Sequence, residues 1–394
     1  MNTKDKMVTR LNAGKKVRSS GLELLKIIAV FAIIISHISK WLYEPSPYVG
    51  FNEYVFNLNL NTPDLSILFV SATMQFGAFG NRVFYLCSVW FLLDSKKSGW
   101  QKAVKMYILF YILSVSSFAI EAIIRNGYIH TELILKSILP NVLQSNWYAT
   151  YYIVLCFTYP LLNKLVNKMT EKALSLTVWI FLAVMMAAFF VGFAFMPEVV
   201  LWVWMYLAVA YFKRYKKEFC DNLKVNLIIL ISAIILCAGF KMLINYLGMQ
   251  NILFKDQLLF FNINISPFTL VIAFTAMNVF RKMTFKSRFI NYISSLTFLI
   301  YLTHANLIFR LRYIPEIFRY VYAIFGHNKL FLTVMTLSIA LLVASTLVSI
   351  VIKHTLDLGI SKLVDKVVAK VKERNALNQV PPISIEQIEE RKTA

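Results

Sequence analysis

Ten apolar runs, most of them close to twenty residues long, divide this chain, and they leave little room for any soluble fold. About twenty apolar residues are what a helix needs to cross the hydrocarbon of a bilayer. The candidate spans lie near 22–42, 66–92, 103–123, 147–166, 174–193, 198–212, 225–247, 265–280, 290–310 and 329–352. A composition of 58% hydrophobic residues and a mean hydropathy of +0.63 agree with such a chain. The expectation is an all-α polytopic membrane protein of about ten transmembrane helices.

The net charge of +21 would suggest nucleic acid in a soluble protein, but here it follows topology. With the N-terminus in the cytoplasm, thirty Lys and Arg fall on the cytoplasmic side and nine outside, leaving Lys26 and Arg82 within spans. That bias places both termini inside. The asymmetry is weakest at the last outer loop, 311–328. Residues 1–20 read as a cytoplasmic tail without a cleavable signal peptide. Residues 21–352 read as the membrane domain. Residues 353–394 read as a cytoplasmic amphipathic helix, with Leu356, Ile360, Leu363, Val367 and Val371 on one face, followed by a disordered tail. The halves show no repeat, which weakens an inverted-repeat transporter. Cys87, Cys156, Cys220 and Cys237 lack metal-ligand spacing and suit packing, so no metal site is expected.

Chemistry enters with the first run, GLELLKIIAVFAIIISHISKW, which carries Glu23, Lys26 and His37. Ionisable residues within a span are costly and point to function. Lys26 and His37 are eleven residues apart, about three turns, so they share a face about 16 Å apart along the axis. Glu23 precedes Lys26 by one turn and can pair with it; alternatively Lys26 snorkels to the interface. His304 lies as deep in the ninth run as His37 does in the first, and both helices run outward. The two imidazoles can therefore face one cavity, where a neutral histidine is a natural general base. A packing role is the competing reading of His304. Lys102 and Lys105, one turn apart near the level of Lys26, either hold an anionic ligand from the cytosol or simply obey the positive-inside rule. Arg82, a charge in the second span, calls for a cavity or a paired carboxylate. The Asn- and Tyr-rich outer loop 43–65 suits either sugar hydroxyls or the membrane interface.

Taken together these residues resemble the acyltransferase-3 family of integral membrane O-acyltransferases, along nearly the whole chain. Lys26-x10-His37 resembles its Arg/Lys-x10-His signature, and Lys102-Ala-Val-Lys105 its Arg-x-x-Arg pair. The stretch from Phe79-Gly80 to Ser88 resembles its second helix. Trp147, Tyr148 and Pro160 match its Trp-aromatic…Pro-Leu-x-Asn helix, and Tyr301 with His304 its Tyr-Leu-x-His helix. Lysine replaces arginine at 26, 102 and 105, which keeps charge but loses bidentate phosphate geometry. Val89 stands where the family usually has glycine.

The resemblance implies O-acylation, most simply O-acetylation, of a cell-surface or extracellular polysaccharide or a lipid-linked glycan, at the cell membrane. It implies acyl-CoA as the donor substrate, no bound cofactor and no nucleic-acid partner. The donor phosphates would sit near Lys26, Lys102 and Lys105. His37 would act as general base or accept the acyl group itself. Tyr301, His304, Trp147 and Arg82 would line the acceptor cavity. The competing reading is a non-catalytic glycan or metabolite transporter that uses the same charged cavity for passage.

Overall fold

A computed structural model describes residues 19–41, 70, 72–95, 99–125, 131–143, 146–191, 198–249 and 266–377. Among these, all regular structure is helical. In chain order the helices are α1 (Gly21–Trp41), α2 (Phe76–Leu92), α3 (Trp100–Arg125), α4 (Thr131–Ile138), α5 (Trp147–Lys168), α6 (Glu171–Val191), α7 (Glu198–Tyr215), α8 (Lys217–Asp221), α9 (Leu223–Met249), α10 (Pro267–Arg281), α11 (Arg288–His304), α12 (Ile314–Phe325), α13 (Leu330–Ile352) and α14 (Leu358–Leu377).

Helix α1 is the hub, with α2, α10, α11 and α13 packed around it. Its apolar residues are buried on nearly every side; Ala29, Val30, Ile33 and Ile34 have no exposure at all. In α9, by contrast, Ile228, Ile231, Ile234, Ile235 and Leu236 are exposed. An apolar helix surface left open in this way is stable only against lipid. The protein is a multi-pass membrane protein in which α1 is shielded from lipid by its neighbours.

Close packing of α1 on α2 depends on two glycines. A Cβ on Gly80 would lie 2.5 Å from the Ala29 carbonyl oxygen, and one on Gly77 would lie 2.6 Å from Ser36 Oγ. Small residues on both sides let the backbones approach, a common membrane solution. Val89, where the family resemblance leads one to expect glycine, is fully buried within the core, so the tight contact has its place two to three turns earlier.

Four helical stretches, Gly21–Lys40, Trp100–Ile124, Leu223–Lys241 and Leu330–Val371, are long and apolar enough on their own to cross a membrane. Two bent pairs, Trp147–Lys168 with Glu171–Ala187 and Arg288–His304 with Phe309–Phe325, bring the number to six. The expected ten runs ahead of this. Helices α2 and α10 have only 17 and 15 residues, and α7 has 18. The run Leu201–Tyr211 of α7, buried throughout except at Val203, faces protein rather than lipid.

Two regions gain detail. The segment read as the last outer loop is preceded by and includes a π turn, Phe309–Tyr313, and helix α12, whose Ile314, Pro315 and Phe318 are buried. The C-terminal helix is continuous with the membrane domain, because α13 runs into α14 through a second π turn, Lys353–Asp357. Helix α14 packs on α3. Its buried stripe is Ile360, Val364 and Val368, in one apolar cluster with Trp100, Val104 and Ile108. Of the stripe read from the sequence only Ile360 is buried; Leu356, Leu363, Val367 and Val371 are exposed. Both stripes fit a helical period; one packs on α3, and the other stays open, as an amphipathic helix leaves the face it lays on a membrane surface. The sugar-binding reading of loop 43–65, and the tail beyond 377, lie outside the described residues.

Candidate active site

The functional side chains are strung along α1. At its start Glu23, 4% exposed, accepts hydrogen bonds from Lys26 Nζ at 3.2 Å and from Ser294 Oγ of α11. The one-turn spacing of Glu23 and Lys26 on a helix makes this pair almost inevitable. A buried carboxylate without such donors would cost several kcal/mol.

Three turns on, His37 meets His304. Their Nδ1 and Nε2 atoms are 3.1 Å apart, and His304 is wholly buried. His304 Nδ1 lies 2.7 Å from the Ile300 carbonyl one turn back on α11. A carbonyl only accepts, so His304 carries its proton on Nδ1 and presents a bare Nε2. His37 must then donate its Nδ1–H to that Nε2, which leaves His37 Nε2 as the basic nitrogen. The same hydrogen bond strengthens when His37 becomes an imidazolium, because a charged donor binds more tightly than a neutral one. The pair is therefore a base with a built-in orienting partner.

Aromatic rings wall this centre. The Tyr301 ring lies 5.5 Å from that of His304 and 6.4 Å from that of His37, edge-on to the former. Tyr148 of α5 meets Tyr301 at 5.0 Å, and Trp202 of α7 meets Tyr148 at 5.6 Å. Trp147 packs edge-on to Trp202 at 6.4 Å.

The two lysines of α3 turn to different helices. Lys102 Nζ donates to the Tyr152 hydroxyl of α5 at 2.9 Å and sits over its ring, while Tyr152 also meets Ser88 of α2 at 3.0 Å. Lys105 pairs with Asp357 at 3.0 Å, at the joint of α13 and α14. Trp147 and Arg82 both border one small cavity. Asn81, Glu198 and Trp202 border it too, and none of them stood out in the sequence as a site residue. The signal available for Glu198 was a carboxylate opening an otherwise apolar run, right after Pro197.

Fold and site together define a multi-pass helical membrane protein with a histidine pair deep in its bundle and a salt-bridged lysine three turns earlier on the same helix. A family model described as an acyltransferase domain matches residues 19–354. The chain belongs to the acyltransferase-3 family and is a membrane acyltransferase. Curated proteins and solved structures returned no match.

Proposed function

We propose that this protein is an O-acyltransferase that moves an acyl group, most simply acetyl, from cytoplasmic acyl-CoA to a hydroxyl of a cell-surface or extracellular polysaccharide or lipid-linked glycan. The reading includes ten crossings of the cell membrane and cytoplasmic termini. The observation that carries it is the His37–His304 hydrogen bond of 3.1 Å, which leaves a basic nitrogen on the helix that also bears Lys26.

In this mechanism the acyl-CoA phosphates lie near Lys26, Lys102 and Lys105. The pantetheine arm runs along α1, since the ~16 Å rise from Lys26 to His37 is within its reach. His37 Nε2 takes the proton of the acceptor hydroxyl as its oxygen attacks the thioester carbonyl. The His37 imidazolium is held by donation from Nδ1 to His304. Collapse of the tetrahedral intermediate breaks the C–S bond, and the CoA thiolate leaves with the proton from His37. An ester and free CoA are the products.

The test is His37→Ala, checked for its presence in the membrane, with O-acetyl content of the host polysaccharide and CoA release as readouts. Both should fall to background. Wild-type acetylation in this variant would sink the mechanism, and wild-type protein that releases no CoA with any glycan acceptor would favour transport.

A further inference from the structure

Beyond His37, on the side away from Lys26, stand two cations without a counter-ion. Lys40 lies one turn past His37 on α1, on the same face. Arg310 belongs to the π turn Phe309–Tyr313 that follows α11. Single π turns within helices are frequent at functional positions. The charges of both residues act on the His37 ring, and that of Arg310 acts on Tyr301 as well. Neither cation forms an ion pair among the described residues. The Nε of Arg310 is buried and has no hydrogen-bond partner, although buried polar groups are normally satisfied.

The segment that bears Arg310 is tied down on both sides of it. Asn306 Oδ1 accepts from the backbone N–H groups of Ile308 and Phe309 at 3.1 and 3.3 Å, and its Nδ2 donates to Ser117 Oγ of α3 at 3.0 Å. One turn further along α3, Glu121 accepts from the Tyr313 hydroxyl at 2.7 Å. Asn306 and Tyr313 thus hold to one face of α3, with Arg310 between them in sequence. Glu121, 6% exposed, belongs to this frame and still makes no ion pair with Arg310.

We propose that Lys40 and Arg310 form an anion subsite that holds the carboxylate or phosphate of an acidic acceptor glycan beside His37. The inference rests on the O-acyltransferase reading above. In that reaction His37 becomes an imidazolium as it takes the hydroxyl proton. Two unpaired cations nearby oppose a third positive charge, and in a medium of low dielectric the opposition is strong. A base so placed works best when the substrate itself brings the balancing anion. A neutral glycan would leave both cations unmatched. The planar fork of an arginine suits either oxyanion through paired N–H donors, and a lysine adds a point charge. Topology agrees, because cations are scarce on the outer side of membrane proteins, where the reading above places these two. Access agrees as well: His37 and Lys40 are partly exposed, whereas His304 is wholly buried.

The experiment uses the full chain in nanodiscs. Methyl glucoside, methyl glucuronide and glucose 1-phosphate, with their galacto counterparts, serve as matched neutral, carboxylate and phosphate acceptors. Binding is read by calorimetry, and acetyl transfer from acetyl-CoA is measured in parallel. At least one acidic sugar should bind about tenfold or more tightly than its neutral parent, and which anion it carries tells carboxylate from phosphate. Arg310→Gln should raise the KM for that acceptor about tenfold with the KM for acetyl-CoA unmoved, and Arg310→Lys should recover part of the loss. Lys40→Gln should act in the same direction more weakly. Acidic sugars that bind no better than their neutral parents, or not at all, overturn the subsite. So does a fall in kcat in Arg310→Gln that is equal for neutral and acidic acceptors with acceptor KM unmoved, which would assign Arg310 to the oxyanion of the tetrahedral intermediate. The comparison of sugars needs no variant, so misfolding of Arg310→Gln cannot shelter the proposal. Acidic-sugar binding without any acetyl transfer would sink the O-acyltransferase reading while upholding the anion subsite; transfer to neutral glycosides alone would do the reverse.

Discussion

Replacing His304 tests whether the histidine pair works as a unit. His304→Phe keeps an aromatic ring in a site with no exposure, yet removes the acceptor 3.1 Å from His37 Nδ1. Catalysis feels only the part of that hydrogen bond that grows in the transition state. A neutral hydrogen bond contributes roughly 0.5–1.5 kcal/mol and one to a charged group roughly 1.5–3 kcal/mol, so about 1–1.5 kcal/mol appears as His37 takes its proton. At 1.36 kcal/mol per tenfold, kcat should fall about tenfold, and by up to about 10² where the ring also loses its orientation. His37→Ala removes the base itself and should cost about 10²–10⁴. His304→Gln, whose amide oxygen can accept from Nδ1, should recover part of the loss. The assay is single-turnover CoA release from acetyl-CoA in proteoliposomes, with kcat and donor KM taken separately. A His304→Phe protein with wild-type kcat, or one changed only in KM for acetyl-CoA, would refute the orienting role.

Three further perturbations follow from contacts elsewhere. Lys105 and Asp357 form a partly exposed pair, worth about 0–1 kcal/mol; if a donor phosphate takes Lys105, Asp357→Asn should lower the acetyl-CoA KM by up to about fivefold. Steady-state kinetics check this, and an unchanged KM removes Lys105 from the donor site. Gly80→Ala forces a Cβ to within 2.5 Å of a backbone oxygen that cannot step aside. Overpacking of this kind costs about 1–3 kcal/mol, so the melting temperature in detergent should drop by several degrees, and an unshifted melt would refute the α1–α2 contact. Asp221, in the α8 turn, is held below the usual carboxylate range by hydrogen bonds from Arg281, against a smaller opposing effect of burial, with Lys282 helping. A depressed folded pKa means that this contribution is present above the unfolded value, ~3.9, and is lost as pH falls through the folded one. Asp221→Asn should therefore melt slightly lower than wild type at pH 7 and converge with it in acid; parallel curves down to low pH would refute the cluster.

What could be read from the chain alone was local or shared a depth. The three turns from Lys26 to His37 and the single turn from Glu23 to Lys26 follow from helix period, and the 3.2 Å pair is found. The meeting of His37 with His304 was readable because two helices running in the same direction put both histidines at one depth. Lys105 was legible as a cation but not as the partner of Asp357, which lies 252 residues further along. For α14, periodicity offered two stripes, and only the position of α3 shows that Val364 and Val368 turn inward. The moment of an amphipathic helix assumes one polar and one apolar surrounding. Here a helix meets water, lipid and protein, and the third of these has no signature in its own sequence.

The same limit explains why Lys26 and Arg82, the two cations within spans, look alike in sequence and differ in the fold. Lys26 carries its counter-ion one turn away on its own helix, so its charge is answered before any partner arrives. Arg82 has no carboxylate at i±3 or i±4; its offset comes from Glu198 on α7, across a cavity. Had the arginine served packing alone, contact with Glu198 would satisfy both groups and close the space, since a separated pair forgoes most of the Coulomb gain while keeping the cost of desolvation. The open arrangement is stable only where a small polar molecule such as water can stand between them. On this argument Lys26 is a fixture of the bundle that a donor phosphate must compete for.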